Sequence, residues 1–211
     1  MERQVNIVYN MDCMAGLKLF DDNFFDLAIC DPPYGIEKAF RKNSVLSKYG
    51  GLDTANDLKP DKKYFDLLFK KSKNQIIFGY NHLSDMLPPT KEFIFWYKHN
   101  PLYSFSDGEL AWTSFNKTAK CFDFPYYGLV GKIEERIHPM QKPVELYNWL
   151  LNTYAKQGYK ILDSHVGSGS SRIACYDLGF YFVGFEINKM FFEKQEKRFK
   201  EHISQIRMED L

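Results

Sequence analysis

The stretch Lys160-Ile-Leu-Asp163-Ser-His-Val-Gly167-Ser-Gly169-Ser-Ser-Arg-Ile-Ala174 carries three consecutive structural signals. An apolar run ends at Asp163, a turn with two glycines follows, and the residues after Gly169 are typical of a helix. Glycine lets the main chain approach a ligand because it has no Cβ, and the amide groups of a helix start attract anionic groups. The stretch therefore predicts a strand, a turn and a helix, with a ligand at the turn.

An acidic residue further along the chain supports a ligand at this turn. Glu186 ends the next predicted strand and follows Gly167 by 19 residues, close to the offset of about 20 residues at which a carboxylate reaches ribose hydroxyls in nucleotide-binding α/β folds. The third glycine of a dinucleotide fingerprint would fall at Arg172, which is not small. The pattern therefore favours a cofactor that contains one nucleoside over a dinucleotide.

Strand and helix signals alternate along the rest of the chain. Strands are predicted at 5–8, 25–30, 75–78, 93–97, 110–114, 160–163 and 181–186, and helices at 13–20, 64–71, 143–154, 170–178 and 189–202. Several strands are continuously apolar, as expected when helices cover both faces of a mostly parallel sheet. We expect one domain over residues 1–211, an α/β three-layer sandwich with a Rossmann-like sheet.

Composition limits the classes of protein that fit. The chain has 211 residues, 45% of them hydrophobic, and a net charge of +1, so a single domain with a large core is expected and no whole-molecule field attracts polyanions. No signal peptide or membrane span is evident, which predicts a cytoplasmic protein. Four scattered cysteines and five unclustered histidines predict reduced thiols and no metal site.

A second motif, Asp31-Pro32-Pro33-Tyr34, follows directly on the predicted strand 25–30. Two prolines stiffen the loop and leave main-chain carbonyl groups available as acceptors. Asp31 adds a carboxylate acceptor and Tyr34 adds a flat ring. These groups suit a planar heterocycle that bears an amino group.

With these motifs in place, nearly the whole chain resembles S-adenosylmethionine-dependent DNA amino-methyltransferases, which methylate adenine N6 or cytosine N4. Residues 31–34 resemble the catalytic motif, residues 163–171 the cofactor motif, and His138-Pro-Met-Gln-Lys142-Pro the segment that precedes the cofactor motif in permuted members. The order of motifs is similar to that of the β group. The stretch 107–114 resembles a subgroup common in phages and prophages.

The resemblance implies S-adenosyl-L-methionine as the cofactor and a set of residues around it. The residues expected to contact it are Asp12, Cys13, Lys142, Asp163, His165, Gly167, Ser168, Gly169, Ser170 and Glu186. Lys142 is either a partner of the methionine carboxylate or a solvent-facing lysine at a helix start. Family members commonly have Asp-Pro-Phe before the glycines, whereas this chain has Ser164 and His165, a change expected to alter the cofactor pocket.

The resemblance also implies the reaction. We expect direct methyl transfer to adenine N6 of a flipped base in DNA, with Asp31 and the Pro32 carbonyl holding the amine and Tyr34 stacking on the base. Three alternatives remain open: an N4-cytosine enzyme, an RNA or protein methyltransferase, and a non-catalytic subunit that keeps the fold.

Two predicted long loops, 36–58 and 115–137, are candidates for substrate contact. Residues 1–35 hold two basic and six acidic side chains, whereas residues 36–75 hold ten and five. Because the positive charge follows the catalytic motif, phosphate contacts are expected from Lys38, Arg41, Lys42 and Lys48. Residues 115–137 are a small candidate recognition insert, which predicts a short target, a homodimer or a helper subunit. The mixed charges of residues 193–201 predict a solvated helix face.

Overall fold

The computed structural model of the chain describes residues 5–35, 58–100, 106–126 and 136–209. Eight strands lie in these ranges, and they form one sheet. The strands are β1 (Asn6–Tyr9), β2 (Phe25–Cys30), β3 (Ser72–Phe78), β4 (Phe93–Tyr97), β5 (Gly108–Thr113), β6 (Lys120–Asp123), β7 (Lys160–Asp163) and β8 (Tyr181–Phe185). The helices are α1 (Cys13–Leu17), α2 (Lys62–Lys71), α3 (Tyr80–Leu83), α4 (Val144–Tyr154), α5 (Ser170–Asp177) and α6 (Lys189–Glu209).

The sheet is mostly parallel. Its strand order is β1-β8-β7-β2-β3-β5-β4-β6. Among the described strands, β5 alone runs antiparallel to its neighbours β3 and β4. The carboxyl ends of the other seven strands therefore point to one edge of the sheet, which we call the carboxyl edge.

Helices cover both faces of the sheet because successive strand residues point to opposite sides. In β2, Leu27 and Ile29 belong to the core cluster that includes Leu146 and Leu150 of α4. Ala28 and Cys30 belong to the second cluster, which α1 and α2 complete on the other face. The predicted three-layer α/β sandwich is thus confirmed, and the continuous apolar strands reflect burial on both sides.

The main difference from the sequence prediction is β6. The sequence predicts a loop at 115–137, but Lys120–Asp123 pairs in parallel with β4 at the sheet edge. Two of its four residues are charged, so the sequence pattern does not indicate a strand. Phe122 secures the strand by packing against Trp149 of α4, with ring centroids 5.3 Å apart.

No helix in the described ranges is both long and apolar enough to span a membrane. The predicted loop 36–58 lies outside the described residues, apart from residue 58. Of the candidate insert 115–137, residues 115–126, 136 and 137 are described.

Helix α1 packs closely on β8 at Gly16, and this contact can be tested. A Cβ on Gly16 of α1 would lie 2.3 Å from the buried ring of Phe185, so Gly16→Ala forces the helix away from the strand. Although alanine favours helices, we expect a loss of about 1–3 kcal/mol in the free energy of unfolding, measured by urea denaturation. In a Phe185→Leu background the cost of the same change is expected to shrink. Equal cost in both backgrounds would contradict the packing.

Candidate active site

Residues from distant parts of the chain meet at the carboxyl edge. Asp31 follows β2, Ser164 follows β7 and Glu186 follows β8. Because β5 runs in the opposite direction, its first residues, Gly108 and Glu109, lie at the same edge. Ligands of open α/β sheets bind at this edge, and we therefore treat these residues as the candidate active site.

Tyr34 packs tightly beside Asp31. Its hydroxyl donates to Asp31 Oδ1, and its ring stacks on His82 with centroids 5.3 Å apart and 15° between planes. Gly79 has a φ of +77°, and a Cβ on it would lie 2.1 Å from the Tyr34 ring. Burial, and next the charge of Asp31, raise the pKa of Tyr34. The site thus holds Tyr34 as a neutral donor in the space that Gly79 leaves open.

Lys142 is buried against the Asp31–Tyr34 segment. Its side chain is 4% exposed, its Nζ donates to Asp31 Oδ2, and the same Nζ lies 3.1 Å from Glu109 Oε2. Burial alone would lower the pKa of Lys142, but the charges of Asp31 and Glu109 outweigh it and raise the pKa. The interpretation of Lys142 as a solvent-facing lysine is therefore wrong.

Glu109 completes a row of alternating charges. Its Oε1 accepts from Lys98, which follows β4. Burial acts to raise the pKa of Glu109, but the ammonium groups of Lys142 and Lys98 lower it to about 2. Lys98, Glu109, Lys142 and Asp31 thus carry two positive and two negative charges at the carboxyl edge. The sequence prediction missed Glu109, although a lone charge in the strand GELAWT was a visible signal.

The glycine turn has the predicted shape. Gly167 and Gly169 have φ values of +53° and +79°, a conformation that favours glycine. Gly169 is the N-cap of α5. Ser170 Oγ donates to the main-chain carbonyl of Lys142 at 2.7 Å, so the turn is tied directly to the segment that carries Lys142.

Arg198 of α6 stabilises the glycine turn by hydrogen bonds. Its Nη1 donates to the Ser168 carbonyl at 2.6 Å and to Ser170 Oγ at 3.0 Å. Glu196 of the same helix pairs with the buried Arg172 at 2.5 Å. The prediction that residues 193–201 form a solvated face is therefore wrong for Arg198 and Glu196. The sequence periodicity does not show which charged side chains meet buried partners.

Glu186 joins the end of β8 to the glycine turn. Its Oε2 accepts from the Gly167 amide at 2.9 Å, and its Oε1 accepts from the Asn188 amide at 2.8 Å. Burial raises the pKa of Glu186, and these two hydrogen bonds oppose the shift. Each oxygen keeps a further lone pair for a ligand hydroxyl.

Asp163 lies beneath the turn, 1% exposed. Its Oδ1 accepts from the His165 amide at 3.0 Å and its Oδ2 from Ser171 Oγ at 2.5 Å. Burial raises the pKa of Asp163 to about 7; the hydrogen bonds act against this, and the charges of Asp31 and Glu186 add to it. Its contacts are those of a residue that shapes the turn.

His165 connects the turn to α1. Asp12 caps α1 by accepting from the Ala15 amide at 3.0 Å, and the next residue, Cys13, has its Sγ 3.9 Å from His165 Nε2. His165 Nδ1 is 2.9 Å from Ser164 Oγ, which is 2.7 Å from the Tyr64 hydroxyl. Ser164 and His165 thus belong to a continuous polar network that links Cys13 to Tyr64. Burial raises the pKa of Cys13 to about 12, so this thiol is not a nucleophile near neutral pH.

The predicted phosphate contacts cannot be placed in this arrangement. Lys38, Arg41, Lys42 and Lys48 lie outside the described residues. They stay a prediction from the sequence.

Burial of His165 generates a pH-dependent prediction. Burial lowers its pKa from 6.5 to about 4, so between these values the unfolded chain binds a proton that the folded chain does not, and stability falls as pH falls. The free energy of unfolding therefore decreases from pH 7 to pH 5, and His165→Phe should make this decrease smaller by about 1–2 kcal/mol. Urea unfolding at both pH values measures it. Asp163, whose raised pKa acts in the opposite direction, is present in both proteins. The same pH dependence in both would contradict the assignment.

Comparison with known proteins shows what the chain is similar to. A family model described as DNA methylase matches residues 54–197. The type II methyltransferase M.HpaI of Haemophilus parainfluenzae is 23% identical over 89% of this chain and 72% of its own length.

Two solved structures share the fold. TTHA0409 of Thermus thermophilus, solved with S-adenosyl-L-methionine, aligns over 94% of both chains with a TM-score of 0.63 and 16% identity. The cytosine-N4-specific PvuII DNA methyltransferase aligns over 94% of this chain and 91% of its own with a TM-score of 0.62 and 15% identity. With the family match spanning most of the chain, including the glycine turn and the segment that carries Lys142, this protein belongs to the N6/N4 DNA methylase family of DNA amino-methyltransferases.

Proposed function

We propose that this protein transfers a methyl group from S-adenosyl-L-methionine to N6 of adenine in DNA. One observation carries the proposal: the Asp31–Tyr34 segment and the Gly167–Gly169 turn lie side by side at the carboxyl edge. They do so because β2 pairs directly with β7, with Ala28 opposite Leu162. A group that holds an amine and a turn that suits a nucleoside cofactor therefore face the same space.

The residues at the turn fit the proposed cofactor. Gly167 and Gly169 give the turn its left-handed main-chain conformation, and the start of α5 suits a carboxylate. Glu186 has acceptor capacity for ribose hydroxyls, and Asp12 and Cys13 begin the helix expected beside the adenine. When bound, S-adenosylmethionine supplies an electrophilic methyl group on a positively charged sulfur.

Asp31 and the Pro32 carbonyl are the proposed acceptors for the two N–H groups of the target amine. By accepting these hydrogen bonds, they draw the nitrogen lone pair out of conjugation with the ring and stabilise the positive charge that develops on nitrogen. The nitrogen forms a bond to the methyl carbon, the carbon–sulfur bond breaks with its electron pair on sulfur, and one proton leaves the nitrogen for water. Tyr34 stacks on the flipped base.

A second candidate is N4-cytosine methylation, which the similarity to the PvuII enzyme favours. Cytosine N4 is also an exocyclic amine conjugated to a ring, so the same acceptors serve it. The resemblance of Asp31 to the adenine-type first residue is our reason for placing adenine first.

The proposed partner is DNA. Lys38, Arg41, Lys42 and Lys48 follow the catalytic motif in sequence, and we propose them as the phosphate contacts. The recognition insert 115–137 is short, which is the reason for proposing a short target, a homodimer or a helper subunit.

The first test measures methylated nucleosides. The protein is incubated with S-adenosylmethionine and genomic DNA that lacks methylated bases, and the nucleosides are analysed by mass spectrometry. We expect N6-methyladenine, and in Asp31→Asn a fall in its rate of about 10²–10³-fold, because a preorganised charge at the reacting nitrogen is lost. The cofactor dissociation constant, measured by calorimetry, should change by less than about threefold.

Asp26→Asn is the matched control, since Asp26 lies on the same strand and pairs with Lys73 away from the carboxyl edge. Its methylation rate should equal that of the wild type. N4-methylcytosine as the product would favour the second candidate. Methylation of RNA alone, in a parallel incubation with RNA, would replace DNA as the substrate. Full activity of Asp31→Asn would contradict the site.

The second test separates cofactor binding from catalysis. Glu186→Gln removes a charged acceptor from the ribose position, and we expect the cofactor dissociation constant to rise about tenfold or more, the equivalent of one charged hydrogen bond. The rate at saturating cofactor should stay within about threefold. Glu193→Gln, an exposed change on α6, should alter neither quantity. An unchanged dissociation constant for Glu186→Gln would move the ribose contact elsewhere.

A further inference from the structure

Both carboxylate oxygens of Asp31 already have partners in this structure. Oδ1 accepts from the Tyr34 hydroxyl, and Oδ2 accepts from Lys142 Nζ. The amine in the proposed reaction needs one of these oxygens. Each oxygen keeps a second lone pair for it, but at Oδ2 the amine would lie beside the Lys142 ammonium group.

The Lys142 contact is the one that opposes the chemistry. Positive charge develops on the attacking nitrogen, and Asp31 stabilises it only while its own negative charge is available. An ammonium group on Oδ2 neutralises that charge, whereas the neutral Tyr34 hydroxyl leaves it in place. Release of Lys142 from Asp31 therefore favours methyl transfer.

A buried ammonium group leaves one carboxylate at low cost only if another is within reach. Glu109 provides it, with Oε2 3.1 Å from Lys142 Nζ. This buried oxygen is already ion-paired with Lys142 but has no aligned hydrogen bond within the described residues. Glu109 Oε1 is held by Lys98, so the carboxylate is fixed in place with one oxygen ready to accept.

We propose that Glu109 is a positioning residue for methyl transfer, which accepts the Lys142 ammonium group when the target amine takes Asp31 Oδ2. This inference rests on the proposed function. Lys98, Glu109, Lys142 and Asp31 sum to zero charge before and after the shift, so no unpaired charge is created in the site. The shift leaves Asp31 paired with the amine on which positive charge develops.

The kinetic test is a double-mutant cycle on the single-turnover methylation rate. Glu109→Gln should lower the rate about tenfold, because Lys142 then stays on Asp31, while the cofactor dissociation constant changes by less than about threefold. In a Lys142→Met background the same change should alter the rate by less than about twofold, since there is no ammonium group to move. Equal losses in both backgrounds, or a change in cofactor affinity without a change in rate, would overturn the proposal.

Glu92→Gln is the matched control for loss of a buried carboxylate. Glu92 is fully buried just before β4 and accepts from the Lys117 amide at 2.7 Å and the Tyr154 hydroxyl at 2.9 Å. It makes no contact with Asp31 or Lys142 among the described residues. The methylation rate of Glu92→Gln should match that of the wild type. A tenfold lower rate would show that loss of any buried carboxylate near the sheet has the same effect, and would overturn the proposal.

A second readout does not depend on activity. Asp31→Asn and Glu109→Gln each leave Lys142 one carboxylate, whereas the double variant leaves none, so its melting temperature at pH 7 should fall by more than the sum of the two single changes. Adding Lys142→Met to the double variant should recover stability. If the double variant does not fold, recovery of folding in this triple variant still tests the proposal. If the two losses in melting temperature are additive, Lys142 does not share its pairing between Asp31 and Glu109, and the proposal is overturned. Absence of DNA methylation by the wild type would refute the proposed function alone.

Discussion

The parallel pairing of β2 with β7 is the contact on which the candidate active site depends. It sets Leu27 opposite Ile161 and Ala28 opposite Leu162, so Asp31 and Asp163 emerge at the same edge although 132 residues separate them in the sequence. At this edge burial raises the pKa of Asp163, and the charge of Asp31 adds to the rise. Lys142 reaches this edge by pairing with Asp31, and Glu186 does so by accepting a hydrogen bond from Gly167 of the turn after β7.

The sequence was informative where structure is decided locally. Apolar runs bounded by proline or glycine predicted β2, β4 and β7 with their observed bounds. The glycines of the turn have positive φ values, which only glycine adopts readily. Strand β6 was missed because a mostly exposed edge strand with charged ends has the pattern of a loop.

Contacts between distant segments could not be predicted in this way. The partner of Lys142 is 111 residues away, and whether a lysine at a helix start meets water or a carboxylate depends on the tertiary fold. Arg198 and Glu109 were missed for the same reason, since their roles come from burial beside particular acceptors. A charge removed from water needs such a partner, so each buried pair joins two segments of the site and limits their relative movement.

Gly79 and Tyr34 also constrain how this sequence can evolve. The Tyr34 ring occupies the volume that a side chain at position 79 would need, and the main chain there has a φ of +77°. Position 79 therefore cannot gain a side chain while an aromatic ring remains at 34, and even after such a loss its backbone would admit few residue types. Mutational paths that give position 79 a side chain must first replace Tyr34, which makes the order of substitutions, and not only their identity, a property of this site.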